Sequence, residues 1–497
     1  MDRCSGIIMH IVSLPGDYGI GTLGEEAYKY VDFLKKAGQR YWQILPIGPT
    51  SFGDSPYQSP SAFAGNPYLI DLDLLKYNNL LNEKDYKNVK LGKDCESIDY
   101  ALIFKNKMKI LRTAYENFKN NTDSEFEIFC NKEGWLEDYA LYMAVKGEFN
   151  LNKWQTWNED IRIREKNALE KYKYELKDEI GYWKFIQYEF FKQWGELKKY
   201  INENDIKVIG DMPIYVAEDS ADVWANPRAF LLDKNTLKPL KLAGCPPDNF
   251  SKTGQLWGNP IYDWKYMKNT NYQWWIERIK QSFKIYDVLR IDHFKGFESY
   301  WSIPYGDDTA ENGEWIKGPG IDIFNAIKEA LGDVDIIAED LGTLTEETIK
   351  LRNDTGYPGM KILTFAFDSG NDNPFLPHNC DRNFIIYTGT HDNDTVRGWV
   401  ETTASKEQVD KAREYLNLTE EEGYNWGLIR GAWSSVADTA IAQMQDFLNL
   451  GNEARMNLPS TLGGNWKWRM KKDACTDELA QKIRNMTEIY GRLFNGK

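Results

Sequence analysis

Histidine, cysteine and long apolar runs are all scarce in this sequence. It has 4 His and 6 Cys among 497 residues, and the cysteines, at positions 4, 95, 130, 245, 380 and 475, show no CxxC pair or finger-like spacing. These shortages give no support to a zinc site, a histidine-based metal centre or a compact disulfide framework. We therefore expect no metal and no cofactor. The formal net charge of −14 argues against nucleic acid as a partner, because such binding depends on clustered Lys and Arg.

No segment has the length and apolar character of a membrane span. The longest apolar stretch near the N-terminus, 6–14, is interrupted by His10 and followed by Pro15 and Gly16. It also has no small-residue cleavage site of the kind that ends a secretion signal. We therefore expect a cytoplasmic protein without a membrane partner, present as a monomer or a weak homo-oligomer.

Aromatic residues, in contrast, are plentiful. They make up 14% of the chain, with 18 Trp and 29 Tyr. Most of them are expected to fill a large core. Their flat apolar faces and polar edges also suit them to packing against the C–H faces of sugar rings.

Short β-branched or aromatic runs that end in polar residues alternate with segments of helical periodicity. Length alone fits either about three domains or one barrel with insertions. The alternation favours a single α/β domain over 1–497, a (β/α)8 TIM barrel. The predicted strands are 6–9, 41–45, 207–211, 287–292, 335–339, 361–367, 384–388 and 439–445.

Two long intervals predict insertions between barrel strands. Residues 48–204, between the second and third strands, show repeated helical periodicity and predict a helical subdomain. Residues 219–267, between the third and fourth strands, hold Pro246 and Pro247 around Phe250 and Trp257 and predict an irregular loop that covers an active site. Fewer than thirty residues follow Trp468, too few for a C-terminal β-sandwich domain.

Carboxylates stand at the ends of four predicted strands, where a barrel of this kind carries its reactive groups. They are Asp211 in IGDMP, Asp292 in LRIDHF, Glu339 in IIAEDLG and Asp392 in GTHDND. Any one of them alone could be a helix cap or a turn former. Four together indicate a site.

The residues around two of these carboxylates suggest different protonation states. Arg290 lies two residues before Asp292, so both side chains point to one side of the strand, and the guanidinium is expected to lower the pKa of Asp292. Glu339 follows the apolar Ile337 and Ala338, which favour the protonated acid. One carboxylate that attacks and one that protonates are what retaining glycoside cleavage requires.

Several long motifs are distributed along the chain. They are GDSPYQSPSAFAGNPY, GDMPIYVAEDSADVW, GCPPDNFSKTGQLWGNPIY, LRIDHFKGF, IIAEDLGTLT, GTHDND, NEARMNLPS and GNWKWR. Over essentially the whole length, they resemble those of the amylomaltases, or disproportionating enzymes, the 4-α-glucanotransferases of glycoside hydrolase family 77 in the α-amylase clan.

The resemblance implies transfer of α-1,4-glucan segments from maltooligosaccharides, or from starch- or glycogen-derived chains, to the 4-hydroxyl of an acceptor sugar. It implies Asp292 as nucleophile, Glu339 as general acid and base, and Asp392 as the carboxylate that stabilises the transition state. The implied substrate-binding residues are Arg290, His391, Asp211, Tyr57, Ser55, Trp257, Asn259, Asp368 and Asn465.

One departure from the wider clan separates this chain from ordinary α-amylases. These usually carry Asn and His four and five residues after the aspartate that ends strand three, whereas this chain has Tyr215 and Val216. The substitution removes a usual calcium ligand and, as in amylomaltases, favours transfer over hydrolysis.

Three alternatives remain beside transfer. A hydrolase would use the same carboxylates, and a non-catalytic glucan-binding protein would be expected to lose one of them. The glycines of GIGTLG, at 19, 21 and 24, match a dinucleotide-binding pattern. A nicotinamide enzyme is nevertheless disfavoured, because the second predicted strand ends in Leu45 and Pro46 with no acid to bind a ribose.

Overall fold

The computed structural model describes residues 3–51, 53–120, 122–247, 251–342 and 344–494. Its strands are β1 Cys4–Ile8, β2 Tyr41–Gln43, β3 Lys207–Pro213, β4 Lys241–Cys245, β5 Gln255–Pro260, β6 Val288–Asp292, β7 Ser299–Pro304, β8 Glu314–Lys317, β9 Ile336–Ala338, β10 Gly359–Ile362, β11 Phe384–Tyr387 and β12 Thr439–Gln443.

Eight of these strands form one parallel sheet in the order β10-β11-β12-β1-β2-β3-β6-β9. The sheet curves until its two edges, β9 and β10, meet. At this closure the Ala338 amide, on β9, donates a hydrogen bond of 2.9 Å to the carbonyl of Pro358, just before β10. Each of the eight predicted strands overlaps one of them. The TIM barrel expected from the sequence is therefore confirmed.

Side chains fill the inside of the barrel, as in other barrels of eight strands. Every strand of the parallel sheet contributes at least one buried side chain to a single cluster. Its members are Cys4, Ile8, Tyr41, Ile209, Val288, Ile337, Met360, Ile362, Ile385, Tyr387 and Ile441. The closed core fixes the strand ends at which the predicted site residues stand.

Helices surround the barrel and fill its insertions. They are α1 Glu25–Lys36, α2 Leu72–Tyr77, α3 Glu83–Tyr86, α4 Tyr100–Phe118, α5 Ser124–Lys132, α6 Leu136–Glu148, α7 Glu159–Arg162, α8 Lys166–Glu175, α9 Lys177–Glu203, α10 Ala221–Ala225, α11 Trp264–Asn269, α12 Gln273–Ile285, α13 Ile321–Leu331, α14 Glu346–Thr355, α15 Val396–Gly398, α16 Lys406–Leu416, α17 Tyr424–Ser434, α18 Met444–Phe447 and α19 Asp477–Ile489. Among the described residues, no helix is long and apolar enough to cross a membrane.

The connection from β10 to β11 differs from the regular alternation. Between these strands the chain forms two short 3₁₀ turns, Leu363–Phe365 and Pro377–Asn379, and no α-helix. Proline and several polar residues interrupt this stretch, so no amphipathic stripe can form.

The interval 48–204 carries helices α2 to α9. The long helix α9 packs against α4, α5, α6 and α8, and also against α1, α12 and β3. Its buried side chains include Phe185, Ile186, Phe190 and Trp194. Helix α9 thus belongs both to the inserted helices and to the ring of helices around the barrel.

The prediction of an irregular loop over 219–267 is wrong for part of this interval. Strands β4 and β5 lie within it and pair with β7 and β8 in a second, antiparallel sheet of order β5-β4-β7-β8. The Pro- and Gly-rich composition conceals these strands, because the partner β7 begins 39 residues after β5 ends and gives no local signal. Phe250 lies outside the described residues.

Candidate active site

The four strand-end carboxylates lie at the same end of the barrel, as parallel strands require. Asp211 is in β3, Asp292 is the last residue of β6, and Glu339 follows β9 directly. Asp392 lies in the loop after β11. In the register of β3 with β6, Asp211 is the neighbour of Arg290, so their side chains share one face of the sheet.

Arg290 connects two of the carboxylates. Its Nη1 donates to both carboxylate oxygens of Asp211 at 2.7 Å, and its Nη2 lies 3.0 Å from Oδ1 of Asp292. The Arg290 side chain is 3% exposed and that of Asp211 is fully buried, whereas that of Asp292 is 30% exposed. Asp292 is therefore the member of this group that solvent can reach.

The expected lowering of the Asp292 pKa is wrong. Burial raises this pKa to about 6, and the attraction of Arg290 only partly offsets the increase. Asp211, which pairs with the same guanidinium, adds to the increase through its own negative charge. At neutral pH, Asp292 is still mainly a carboxylate.

Glu339 is held by backbone amides. Its Oε2 accepts a hydrogen bond from the His293 amide at 2.7 Å, and its Oε1 accepts one from the Leu341 amide at 2.8 Å. Burial, with the negative charge of Asp292, raises the pKa of Glu339 to about 7 despite the opposing effects of Arg290 and the two amides. The expected direction of this pKa is confirmed, and Glu339 loses its proton at higher pH than Asp292 does.

Asp392 lies in a different electrostatic environment. Its Oδ2 is 3.3 Å from Nε2 of His391, and its Oδ1 accepts a hydrogen bond of 2.7 Å from the amide of Asn457. Burial would raise the pKa of Asp392, but His391 and Asn457 outweigh it and hold this pKa well below its usual value. The pKa of His391 is raised in turn by Asp392, against the effect of burial. Asp392 is thus ionised whenever Asp292 is.

Tyr57 joins the Arg290–Asp211 pair and the His391–Asp392 pair into one hydrogen-bonded network. Its hydroxyl lies 2.9 Å from Oδ2 of Asp211 and 2.8 Å from Nε2 of His391. Its ring stacks on His391 with centroids 5.2 Å apart. The network therefore runs from Asp292 through Arg290, Asp211, Tyr57 and His391 to Asp392.

Trp257 and Asn259 lie on β5, beside this network. The Trp257 ring contacts His293 edge-on at a centroid distance of 4.9 Å. The Asn259 side chain donates to the carbonyl of Val216 at 2.8 Å and accepts from Gln58 at 3.2 Å. Asn259 is 4% exposed, and its contacts hold β5 in place over the barrel end.

The other predicted binding residues lie outside the hydrogen-bonded network. The Ser55 hydroxyl accepts from the Tyr57 amide at 3.3 Å and so shapes the turn that carries Tyr57. Asn465 stabilises its own loop through Leu458 and Thr461. Asp368 is exposed and contacts Asn373 at 2.9 Å.

Two residues of the network were not assigned from the sequence. Asn457 binds Asp392, and Trp466 packs on Tyr57 and on His391 with centroid distances of 5.7 and 6.0 Å. Both belong to motifs that carried the family resemblance, NEARMNLPS and GNWKWR. That membership was the available signal, because both lie more than sixty residues from Asp392 and show no local pattern.

The cluster thus offers three different carboxyl groups to a neutral ligand. Asp292 is an accessible carboxylate, Glu339 can hold a proton near neutral pH, and Asp392 is strongly ionised. Retaining glycoside chemistry uses the first two as nucleophile and acid. In the described part of the chain, no group of three or more His, Cys, Asp or Glu has the arrangement of a metal site.

Comparisons with known proteins agree with this chemistry. A family model described as 4-alpha-glucanotransferase matches residues 9–476. A 4-alpha-glucanotransferase from Clostridium butyricum is 63% identical over 97% of this chain and 100% of its own length, and one from Streptococcus pneumoniae is 52% identical over 99% and 98%.

Solved structures agree as well. The amylomaltase from Streptococcus agalactiae, in complex with acarbose, superposes with a TM-score of 0.97 at 46% identity, covering 99% of this chain and 100% of its own. The amylomaltase from Corynebacterium glutamicum has the same fold, with a TM-score of 0.78 at 17% identity over 99% and 74%. These matches confirm the resemblance: the chain belongs to the 4-α-glucanotransferase family.

Proposed function

We propose that this chain performs the transfer reaction of its family with Asp292 as the nucleophile and Glu339 as the acid and base. The observation that carries the proposal is the contrast between these two carboxyls. Asp292 is partly exposed, lies 3.0 Å from Arg290 and has the lower pKa. Glu339 has a pKa of about 7 and can deliver a proton near neutral pH.

In the first step, a carboxylate oxygen of Asp292 attacks the anomeric carbon of an α-1,4-linked donor. The bond to the glycosidic oxygen breaks, and Glu339 gives its proton to that oxygen. The donor's glycosyl part is then esterified to Asp292. Donors are maltooligosaccharides or chains derived from starch or glycogen.

In the second step, the Glu339 carboxylate removes the proton from the 4-hydroxyl of an acceptor sugar. The hydroxyl oxygen attacks the anomeric carbon and releases Asp292. We assign to Asp392 the binding of ring hydroxyls as positive charge develops, because His391 and Asn457 keep it ionised and fixed in position.

Transfer instead of hydrolysis requires that a sugar reaches the intermediate before water does. Support for this preference comes from β5, whose Trp257 contacts His293, the residue after Asp292. Gln58 ties the same strand to the Tyr57 segment through the Trp257 carbonyl at 3.3 Å and Asn259 at 3.2 Å. We further propose a cytoplasmic setting and a monomer or weak homo-oligomer.

Incubation of the purified chain with maltotriose tests the reaction. Transfer converts maltotriose to glucose and longer chains while the number of reducing ends stays constant. Chromatography of the products, with a reducing-end assay on the same samples, measures both quantities. A steady rise in reducing ends would make the protein a hydrolase, and unchanged maltotriose would exclude both activities.

The paired pKa values also predict a bell-shaped dependence of kcat/KM on pH. Below about pH 6 the nucleophile Asp292 becomes protonated, and above about pH 7 the acid Glu339 loses its proton, so activity falls on both sides. Initial rates on maltotriose across this range measure the two limbs. In Glu339→Gln the alkaline limb is expected to disappear, and an unchanged alkaline limb in that variant would contradict the assignment.

A further inference from the structure

A cavity of about 1030 Å³ opens beside helices α6, α10, α11 and α12. Ser61 and Phe63 also line it, from the segment that follows Tyr57. None of the four strand-end carboxylates belongs to its lining. Its volume is in the range of cavities that hold small-molecule ligands.

Aromatic rings form one wall of this cavity. The ring of Phe63 lies between two partly exposed tryptophans, stacked on Trp135 at 6.4 Å and edge-on to Trp274 at 6.1 Å. Tyr266, also partly exposed, adds a fourth ring to the lining. Such a surface offers flat apolar faces to the C–H side of sugar rings.

Nine charged side chains line the cavity, and six of them form ion pairs; the other three are Lys132, Asp222 and Arg228. Three ion pairs line it: Lys284 with Glu133 at 2.8 Å, Arg164 with Asp138 at 2.6 Å, and Lys280 with Glu277 at 3.4 Å. A charged ligand would have to compete with these pairs for its partner. The lining therefore favours a neutral ligand.

We propose that this cavity is a second binding site for neutral oligosaccharides of the α-1,4-glucan class, separate from the transfer site. The choice of glucan rests on the proposed function, whereas the aromatic wall and the ion-paired charges of the lining stand independently of it. By holding a remote part of a long glucan, the cavity raises the effective concentration of that chain at the transfer site.

Gly134 offers a way to block the cavity without disturbing the fold. It lines the cavity, and a Cβ atom added to it meets no heavy atom within 4 Å among the described residues. Gly134→Trp therefore places a large side chain in the cavity. Gly147→Trp is the matched control, because Gly147 is exposed, has the same open space and does not line the cavity.

Binding is measured by native electrophoresis in gels containing glycogen, with Asp292→Asn in every chain to prevent turnover. We expect Gly134→Trp to weaken glycogen binding at least about threefold relative to Gly147→Trp. In chains that keep Asp292, transfer from maltotriose should agree within about twofold, because neither glycine is among the residues of the transfer site.

Gln273→Trp, at the exposed start of α12, blocks the same cavity from another helix. If Gly134→Trp fails to fold, glycogen binding is compared between Gln273→Trp and Gly147→Trp instead. Equal glycogen binding in the blocked and control chains would overturn the second site. Absence of maltotriose transfer in the unsubstituted chain would instead overturn the proposed function, so the two failures are distinguishable.

Discussion

Replacing Asp292 with Ala is expected to lower transfer from maltotriose at least about 10⁴-fold, because the reaction loses its nucleophile. The fold should be preserved. Asp292 is the accessible partner of Arg290, and the buried pair of Arg290 with Asp211 remains in the variant. The measurement is the rate of glucose release, with thermal unfolding recorded on the same samples.

Two further variants serve as controls for this result. Asp292→Asn keeps the size of the side chain but not its charge, and it should lose as much activity as Asp292→Ala. Asp410→Ala removes an exposed carboxylate on α16 and should leave activity unchanged. Transfer by Asp292→Ala within tenfold of the original chain would exclude Asp292 as the nucleophile.

Replacing Glu339 with Gln is expected to lower transfer from maltotriose about 10²- to 10⁴-fold, the usual contribution of a general acid. The glutamine oxygen can accept one of the two amide hydrogen bonds that Glu339 receives from His293 and Leu341, whereas the NH2 group cannot accept the other, so one of the two positioning contacts is lost. The glutamine has no acidic proton to give to the leaving oxygen.

The choice of donor isolates this role. A maltosyl fluoride needs little or no protonation of its leaving group, so the first step should be far less affected in Glu339→Gln with this donor than with maltotriose. Single-turnover rates of fluoride release and of glucose release measure the two cases. Equal losses with both donors would assign Glu339 a structural role instead of an acid's role.

The barrel and its reactive strand ends could be predicted because both depend on local pattern. Each barrel strand is a short buried run, such as FIIY at β11, and Asp292 and Glu339 end or directly follow such runs. Strands β4 and β5 could not be predicted in this way, since β4 pairs with the distant β7 and β5 joins the sheet through β4.

The electrostatics of Asp292 show a second limit of sequence reasoning. Strand alternation correctly placed Arg290 beside Asp292, but it could not show that Asp211, from a different strand, binds the same guanidinium. Burial and the negative charge of Asp211 reverse the expected direction of the pKa shift. Glu339 was predictable because its main influence, burial among apolar neighbours, is visible in IIAED itself.

Contacts between loops were also beyond prediction. Asn457 and Trp466 reach Asp392, His391 and Tyr57 from a segment that follows β12. The side chain of Asn259 contacts Val216 and Gln58, and its predicted role in substrate binding stays a prediction. Whether Asp368 and Asn465 contact substrate remains a proposal, because neither joins the network of the carboxylates.

The most direct test of the central claim is to identify the residue that carries the glycosyl group. In Glu339→Gln with a maltosyl fluoride, the first step proceeds while the second lacks its base, so the intermediate should accumulate. Trypsin releases the peptide 291–295, IDHFK, in which Asp292 is the one carboxylate side chain. We expect the maltosyl mass on this peptide, and a glycosyl group found on any other peptide would contradict the mechanism.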